Sequence, residues 1–380
     1  MAGGGSDDGL KPHGRRPQVF VCAGGGGVGK TTTSAALALA LAWQGKNTLV
    51  VTVDPARRLA DAMDTPIGSS PKRVPLPPEV KGELYALMPD PREAMRTFVE
   101  HLFKDEPAAM QRLFENRIYA AMADAAAGVH ELVSVMLVVQ AVEELNLDCV
   151  VVDTAPSRYA LDLVLYPGRL AALLEGRAIA WFGNLAQRTT EEDDEPGIMQ
   201  GSAGGVLNWG RRRVENAMGR VLSARAITDV ANLFIELARV RERFALLARQ
   251  AEELLLGETT KFVLVAAPTG AADADLKYLA RKLRKLQRGA TAVIFNRADV
   301  AAPSWVAEVG THADVTPALL AAIRQLEEER TARTHAADAM AKEIRRKLPL
   351  VRQLRLPTIA AEHPAAIVSA LAEHLTELGN

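Results

Sequence analysis

Short apolar runs rich in Val, Leu and Thr recur along the chain, and helix-like patterns separate them. The runs predict strands at 18–22, 47–53, 83–87, 148–153, 262–266 and 291–295, with a less distinct strand at 351–356. Strands that are apolar throughout are typical of a parallel sheet covered on both faces, because neither face meets water. The pattern therefore predicts an α/β fold in which helices flank a parallel sheet.

Two segments interrupt the alternation, at about 90–144 and 169–256, and both show apolar residues at helical spacing. The second is expected to end in one long helix from about Val214 to Leu254, after an acidic and glycine-rich stretch at 189–210 that we expect to be mobile. We interpret residues 17–380 as a single α/β domain whose two insertions form a helical subdomain. Residues 1–16 are glycine-rich and polar, and are expected to form a disordered leader.

Composition excludes several classes of protein. The 380 residues carry 45 Lys and Arg against 46 Asp and Glu, so a whole-surface nucleic-acid binder is not expected. Two cysteines, Cys22 and Cys149, exclude a disulfide scaffold and a four-cysteine zinc site. The longest apolar stretches fall short of the roughly 18–20 residues of a membrane span, so we expect a cytoplasmic protein with at most transient membrane association.

The strongest motif is a phosphate-binding loop between the first strand and a helix at 32–43. Its glycines would let backbone N–H groups face phosphate oxygens, Lys30 would reach the β- and γ-phosphates of ATP, and Thr31 would hold Mg²⁺. The expected nucleotide-binding residues of this loop are Gly24, Gly25, Gly26, Gly27, Val28, Gly29, Lys30, Thr31 and Thr32.

Two aspartates follow apolar strands and are candidates for the same site. Asp153 ends the strand at 148–153, where a carboxylate of the Walker-B type would face Mg²⁺ or its water ligands. Asp54 precedes Pro55 at the end of the second strand. There it would orient the attacking water and lie near the metal, or it would simply begin an Asp-Pro turn.

Three segments together resemble one known family: GGVGKTT at 26–32, VDPA at 53–56 and VVDTAP at 151–156. They are similar to the arsenite-pump ATPase (ArsA) and tail-anchored-protein targeting ATPase family, a branch of the deviant-Walker group that includes MinD and ParA. The resemblance extends from Gln18 to about Leu375. It implies a nucleotide-switched dimer in which Asp54 polarises water and Asp153 to Arg158 form a second switch. It also implies that Asn296 and Arg297 contact adenine, and that Leu356 and Pro357 begin a closing loop.

The departures from the family pattern matter as much. The family's signature lysine, which serves the partner's nucleotide across the dimer, is Gly25 here. Either a switch arginine replaces it (Arg57, Arg58 or Arg158), or a paralogous partner donates a lysine to a heterodimer. Gly25 itself either tolerates a side chain or needs the left-handed backbone conformation. The zinc-binding CxxC and the three-cysteine arsenite site of relatives are absent from this sequence.

Three cellular roles fit such an ATPase. In the first, it is expected to be a carrier whose two helical insertions form a groove for an apolar client. The candidates for the groove lining are Met95, Met110, Met122, Met136 and Met218. Methionine at helical spacing is also typical of a hydrophobic core. The alternative is a MinD- or ParA-like positioning ATPase, but the last helix, at 365–378, lacks the Lys and Arg that membrane docking needs. Arsenite transport is not expected, because two isolated cysteines cannot form a three-thiolate site.

Overall fold

The computed structural model describes residues 16–53, 58–125, 127–155, 161, 224–299, 306, 309 and 316–379. The expected leader, the stretch at 189–210, and the residues Asp54, Arg57, Arg158 and Met218 lie outside this part of the chain. The strands of the described part are β1 (Gln18–Gly24), β2 (Thr48–Thr52), β3 (Lys72–Val74), β4 (Leu84–Leu87), β5 (Cys149–Asp153), β6 (Thr260–Ala266), β7 (Ala290–Phe295) and β8 (Arg352–Arg355).

The helices of the described part lie between and after these strands. They are α1 (Lys30–Trp43), α2 (Arg58–Met63), α3 (Pro91–Leu102), α4 (Pro107–Glu115), α5 (Arg117–Ala125), α6 (Ala127–Glu144), α7 (Ala224–Arg239), α8 (Arg241–Leu256), α9 (Gly270–Lys285), α10 (Pro317–Lys347) and α11 (Pro364–Glu373). None of the helices in the described ranges is long and apolar enough to cross a membrane.

The strands form one sheet in the order β3-β4-β2-β5-β1-β6-β7-β8, and every neighbouring pair is parallel except β3 with β4. The predicted α/β fold is therefore confirmed, and each predicted apolar run contains a strand. Strand β3 was not predicted, because its three residues include two exposed basic side chains and so form no apolar run. It pairs antiparallel at the edge of the sheet, where a short and charged strand resists further pairing.

The centre of the sheet is fully buried, and this fixes where a ligand can bind. Strand β1 pairs with β5 on one side and β6 on the other, and all five residues of β5 are buried. The chain leaves β1 toward β2, beyond β5, whereas it leaves β5 toward β6 on the opposite side of β1. Ligands of open α/β sheets bind at such a reversal, outside the carboxyl ends of the strands.

The chain divides into two compact units. One contains residues 1–90, 138–164 and 253–380, and therefore the whole sheet; the other contains 91–137 and 165–252. In the sheet-containing unit, α1 is buried along most of its length and packs against α2 and α11. Helix α11 ends at Glu373 and is followed by a 3₁₀ turn at Thr376–Gly379, so the expected last helix at 365–378 is shorter than predicted.

The described residues of the second unit form helices, and a buried carboxylate joins two of them, α4 and α7. Glu236 on α7 is only 6% exposed and accepts two hydrogen bonds from Arg112 on α4, at 2.6 and 3.1 Å. Arg239 adds a third contact at 2.9 Å. The rings of Phe98 and Phe244 pack edge to face, with centroids 6.0 Å apart. A buried carboxylate needs such charged partners, because desolvation opposes its ionised form.

The single long helix expected to reach Leu254 is wrong. Within the described residues, helices α7 and α8 are separate and meet at Val240. The amide of Val240 bonds the carbonyl of Leu237, three residues back, so the α-helical pattern of four is interrupted. The residues around this point include neither glycine nor proline, and apolar spacing continues across it, so the break leaves no local signal in the sequence.

An ion-pair cluster joins α9 to α10 in the sheet-containing unit and predicts a pH dependence of stability. Glu343 accepts hydrogen bonds from Lys347 at 2.7 Å and lies 3.0 Å from the ammonium of Lys277. These contacts lower the pKa of Glu343 from its usual 4.5 to about 2. A depressed carboxyl pKa stabilises the fold above pH 4.5, and this contribution is lost as the pH falls toward 2.

Glu343→Gln should therefore lower the melting temperature at neutral pH and flatten its decline between pH 4.5 and 2, so that the two proteins converge near pH 2. Thermal melts over this range test the prediction. Glu328→Gln, at an exposed position on the same helix, is the matched control. Parallel curves for wild type and Glu343→Gln would contradict it.

Candidate nucleotide-binding site

The loop after β1 is shaped by close approaches that only glycine permits. A Cβ at Gly24 would lie 2.2 Å from the carbonyl oxygen of Val265 on the neighbouring strand β6. A Cβ at Gly29 would lie 2.1 Å from Nδ2 of Asn296. Gly27 and Gly29 also have φ angles of 71° and 85°, which favour glycine. The loop therefore follows one path, with Gly26 and Gly27 exposed at its tip.

Lys30 lies inside the curve of this loop. Its side chain is 5% exposed, and Nζ donates a hydrogen bond to the carbonyl of Gly25 at 3.0 Å. Helix α1 begins at Lys30 with Gly29 as its N-cap, and its first turn contains no acidic residue. The helix N-terminus and the ammonium group therefore place positive charge at the same end of the loop, which suits phosphate.

Asp153 connects the loop to the ends of the neighbouring strands. Its Oδ2 accepts hydrogen bonds from the hydroxyl of Thr31 at 2.7 Å and from the hydroxyl of Thr52 at 3.0 Å. The residue is fully buried, and Thr52 lies opposite it in the pairing of β2 with β5. A hydroxyl and a carboxylate at this spacing are oxygen ligands of the kind that Mg²⁺ prefers, so the residues fit the expected metal.

A side-chain hydrogen bond supports the pairing of β5 with β1 next to this carboxylate. Thr154 donates a hydrogen bond through its hydroxyl to the carbonyl of Cys22 at 2.8 Å. Burial raises the pKa of the Cys22 thiol to about 12, so this cysteine is neutral and serves as an apolar residue of the core. The position of Asp153 therefore depends on the sheet rather than on a loop.

Asn296, expected to contact adenine, lies directly beneath the phosphate loop. Its Nδ2 donates to the carbonyl of Val28 at 2.9 Å, and its Oδ1 accepts from the amide of Arg297 at 3.0 Å. Arg297 is exposed and has a φ of 54°, a rare conformation for a side-chain-bearing residue and one that concentrates at functional sites. The structure thus places Asn296 as a brace of the loop, and its contact with adenine stays a prediction.

The expected closing loop meets the same corner. The amide of Leu356 bonds the carbonyl of Phe295, and the amide of Ala298 bonds the carbonyl of Leu356, both at 2.9 Å. Leu356 is buried, whereas Pro357 is half-buried. The segments after β7 and β8 are therefore held together by backbone hydrogen bonds.

The structure describes some of the candidate switch arginines and groove methionines and not others. Among the candidate arginines, Arg58 is described, as the exposed first residue of α2. Met95 and Met110 are half-buried on α3 and α4. Met136 is 1% exposed, so its assignment to an open groove is wrong. It is one of the buried apolar residues of α6. The Met122 side chain lies outside the described part of the chain.

The structure also adds residues that the sequence did not indicate. Thr52 shares the Asp153 carboxylate with Thr31. Asp299 accepts hydrogen bonds from both the amide and the hydroxyl of Thr358, at 2.8 and 3.1 Å, and so closes the segment after β8. The sequence could have indicated Thr52 only through its position at the end of a predicted strand of the parallel sheet. No sequence pattern indicates the hydrogen bonds between Asp299 and Thr358.

Gly25 is not required for its backbone conformation. The glycines with a left-handed φ in the described chain are Gly27, Gly29 and Gly45, so the expectation that Gly25 needs such a conformation is wrong. A Cβ at Gly25 would instead lie 2.5 Å from Oδ2 of Asp275 on α9. The nearest neighbour of a side chain at position 25 would therefore be this carboxylate.

Comparison with known proteins agrees with this geometry. The profile of the anion-transporting ATPase (ArsA) family matches residues 17–192, which contain the phosphate loop and Asp153. An ATPase get3 of Schizosaccharomyces japonicus is 29% identical over 171 residues, covering 42% of this chain and 50% of that protein. An ATPase ASNA1 homologue of Entamoeba dispar is 31% identical over 132 residues, covering 34% and 39% of the two chains.

A third relative, an ATPase ASNA1 homologue of Paramecium tetraurelia, is 33% identical over 131 residues, or 33% of this chain and 36% of its own. The matches thus span half or less of these relatives' lengths. The comparisons thus support a relationship of residues 17–192, which contain the phosphate loop, to the ArsA/Get3 family of ATPases.

Proposed function

We propose that this protein binds ATP with Mg²⁺ and hydrolyses it to ADP and phosphate in the cytosol. The observation that carries the proposal is the preformed loop, in which Lys30 and the Thr31–Asp153 pair lie at the N-terminus of α1. Backbone N–H groups at a helix N-terminus bind phosphate oxygens, and the ammonium adds a full positive charge. The similarity of residues 17–192 to the anion-transporting ATPase family supports the proposal.

Each residue has a defined task in the proposed reaction. Lys30 exchanges the Gly25 carbonyl for β- and γ-phosphate oxygens, where negative charge develops as the bond between them breaks. The Thr31 hydroxyl and the Asp153 carboxylate hold Mg²⁺ directly or through water. When bound, the metal neutralises charge on the β- and γ-phosphates.

The residues that orient the attacking water and contact the adenine ring are assigned to the ends of other strands. Asp54 follows β2 and orients the water that attacks the γ-phosphorus, although its position lies outside the described residues. Asn296 reads adenine from beneath the loop, assisted by Arg297 and the segment from Leu356 to Pro357. Binding and hydrolysis are therefore expected to separate by mutation.

Lys30→Ala should weaken ATP binding by about 10- to 100-fold, since a hydrogen bond to a charged group contributes about 1.5–3 kcal/mol. Its hydrolysis should fall by about 10²–10³ in addition. Asp54→Asn should retain near-normal binding of ATP with Mg²⁺ and lose most of its turnover. Isothermal titration and steady-state phosphate release measure the two effects.

Lys46→Ala is a matched control, because Lys46 contacts the carbonyl of Gly379 rather than the phosphate loop. It should leave both measurements within about twofold of wild type. Equal turnover of Asp54→Asn and wild type would remove Asp54 from the mechanism.

We further propose that the working form is a dimer. Gly25 cannot supply the lysine by which the family is known to serve a partner's nucleotide, so the positive charge comes from Arg57, Arg58 or Arg158, or from a paralogous partner. Of these arginines, Arg58 is exposed and accessible to another chain. A heterodimer would leave one nucleotide assisted and the other unassisted.

If a partner supplies the cation, the purified chain should bind ATP but turn over slowly, because cations donated in trans contribute about 10³–10⁵ in rate in related phosphoryl transfers. Turnover of the chain alone, measured against protein concentration, tests this. Fast turnover that is independent of concentration would contradict a trans cation.

The helical unit is proposed to bind an apolar client helix. Half-buried methionines on α3 and α4 present adaptable apolar surface. The sequence also resembles the tail-anchored-protein targeting ATPase family, and the relatives include proteins named ATPase get3. The alternative of a MinD- or ParA-like positioning ATPase has less support. If it bound DNA through the basic residues of α9, Lys277 would have to leave its ion pairs with Asp273 and Glu343.

Met110→Glu should reduce binding of a synthetic apolar helical peptide while leaving the melting temperature nearly unchanged, since the side chain is only half-buried. Met136→Glu is the contrasting control: it buries an unpaired carboxylate and should destabilise the protein by several kcal/mol. Peptide fluorescence anisotropy and thermal melts give the two readouts. A large loss of stability in Met110→Glu, or unchanged peptide binding, would contradict a client surface at α4.

A further inference from the structure

A carboxylate lies against the first turn of the phosphate loop, and no part of the proposed mechanism uses it. Oδ2 of Asp275, in the second turn of α9, is 2.5 Å from where a Cβ of Gly25 would be, and Cγ is 3.4 Å from it. Gly25 is buried, and its φ lies outside the left-handed region. A side chain at this position would therefore meet the carboxylate of Asp275 first, and no left-handed backbone conformation requires a glycine here.

The same residue also contacts the cation of the loop. The carbonyl of Gly25 accepts the hydrogen bond from Nζ of Lys30 at 3.0 Å. One glycine thus separates the ammonium that would bind phosphate from a carboxylate on the adjoining helix. Asp275 is half-buried, so solvent screens its charge less than it would at an exposed position.

We propose that Asp275 tunes the nucleotide affinity of this loop and discriminates between nucleoside triphosphate and diphosphate. The inference rests on the proposed nucleotide binding. A negative charge beside the loop opposes the phosphates and attracts Lys30 toward its resting place on Gly25. The repulsion increases with the negative charge of the ligand, so the binding of ATP is weakened more than the binding of ADP. Asp275 acts through the field at the loop and is a specificity-determining residue, not a catalytic one.

The same geometry specifies what a side chain at 25 would do. The Cβ of a lysine introduced there would lie next to the Asp275 carboxylate. The lysine would therefore form an ion pair within its own chain rather than extend toward a partner chain. Gly25→Lys therefore neutralises Asp275 and should raise ATP affinity in the isolated chain, which an unaided trans lysine would not do.

The test compares Asp275→Asn, which keeps the side-chain shape, with Asp275→Ala, which does not. Asp273→Asn on the same helix is the charge-matched control, because Asp273 pairs with Lys277 rather than contacting the loop. Dissociation constants for ATP and ADP with Mg²⁺ are measured by isothermal titration at about 0.05 M and about 0.5 M salt. Both Asp275 variants should bind ATP about three- to tenfold more tightly at low salt, with a smaller gain for ADP.

The gain should shrink at high salt, and Asp273→Asn should stay within about twofold of wild type. Unchanged ATP binding in both Asp275 variants, or an equal gain for ATP and ADP, would overturn the discrimination. Weaker binding of both nucleotides would overturn it as well, and would mark Asp275 as packing for the loop. If wild type binds neither nucleotide, the proposed function itself fails, and this inference fails with it.

Discussion

The backbone between β1 and α1 passes so close to β6 and to Asn296 that side chains at Gly24 and Gly29 are excluded. The distances, 2.2 and 2.1 Å from a hypothetical Cβ, are far below any real contact. This crowding fixes the path of the loop, and the path fixes where Lys30 and Thr31 begin. Helix α1, which is buried along most of its length, then carries both residues in its first turn.

The site is built on strand ends rather than on loops that fold around a ligand. Asp153 and Thr52 occupy paired positions of β5 and β2, and Asn296 follows β7 directly. Positive charge comes from the N-terminus of α1 and from Lys30, whereas negative charge comes from Asp153 and Asp275. Charges of both signs therefore lie close to the loop, and small changes of charge there are expected to alter the proposed nucleotide preference.

The sequence indicated the parallel sheet and the phosphate loop because both leave local signals. A central strand such as β5 must be apolar throughout, and a phosphate loop needs glycines at fixed spacing before Lys30. Contacts between distant residues leave no such signal: Asn296 and Val28 are 268 positions apart, and Asp275 meets Gly25 from another helix. The break at Val240 was missed for a related reason, because apolar periodicity continues through it. Buried and half-buried methionines have the same spacing in sequence, so Met136 could not be distinguished from Met110.

The central claim is that this preformed loop recognises a polyphosphate through Lys30 and through a metal held by Thr31 and Asp153. Isothermal titration of the full chain with ATP, with and without Mg²⁺, and with AMP tests it most directly. The account predicts that ATP binds at least about tenfold more tightly with Mg²⁺ than in chelator, and that AMP, which lacks β- and γ-phosphates, binds far more weakly. Equal affinity for AMP and ATP, or ATP binding that is indifferent to Mg²⁺, would contradict it.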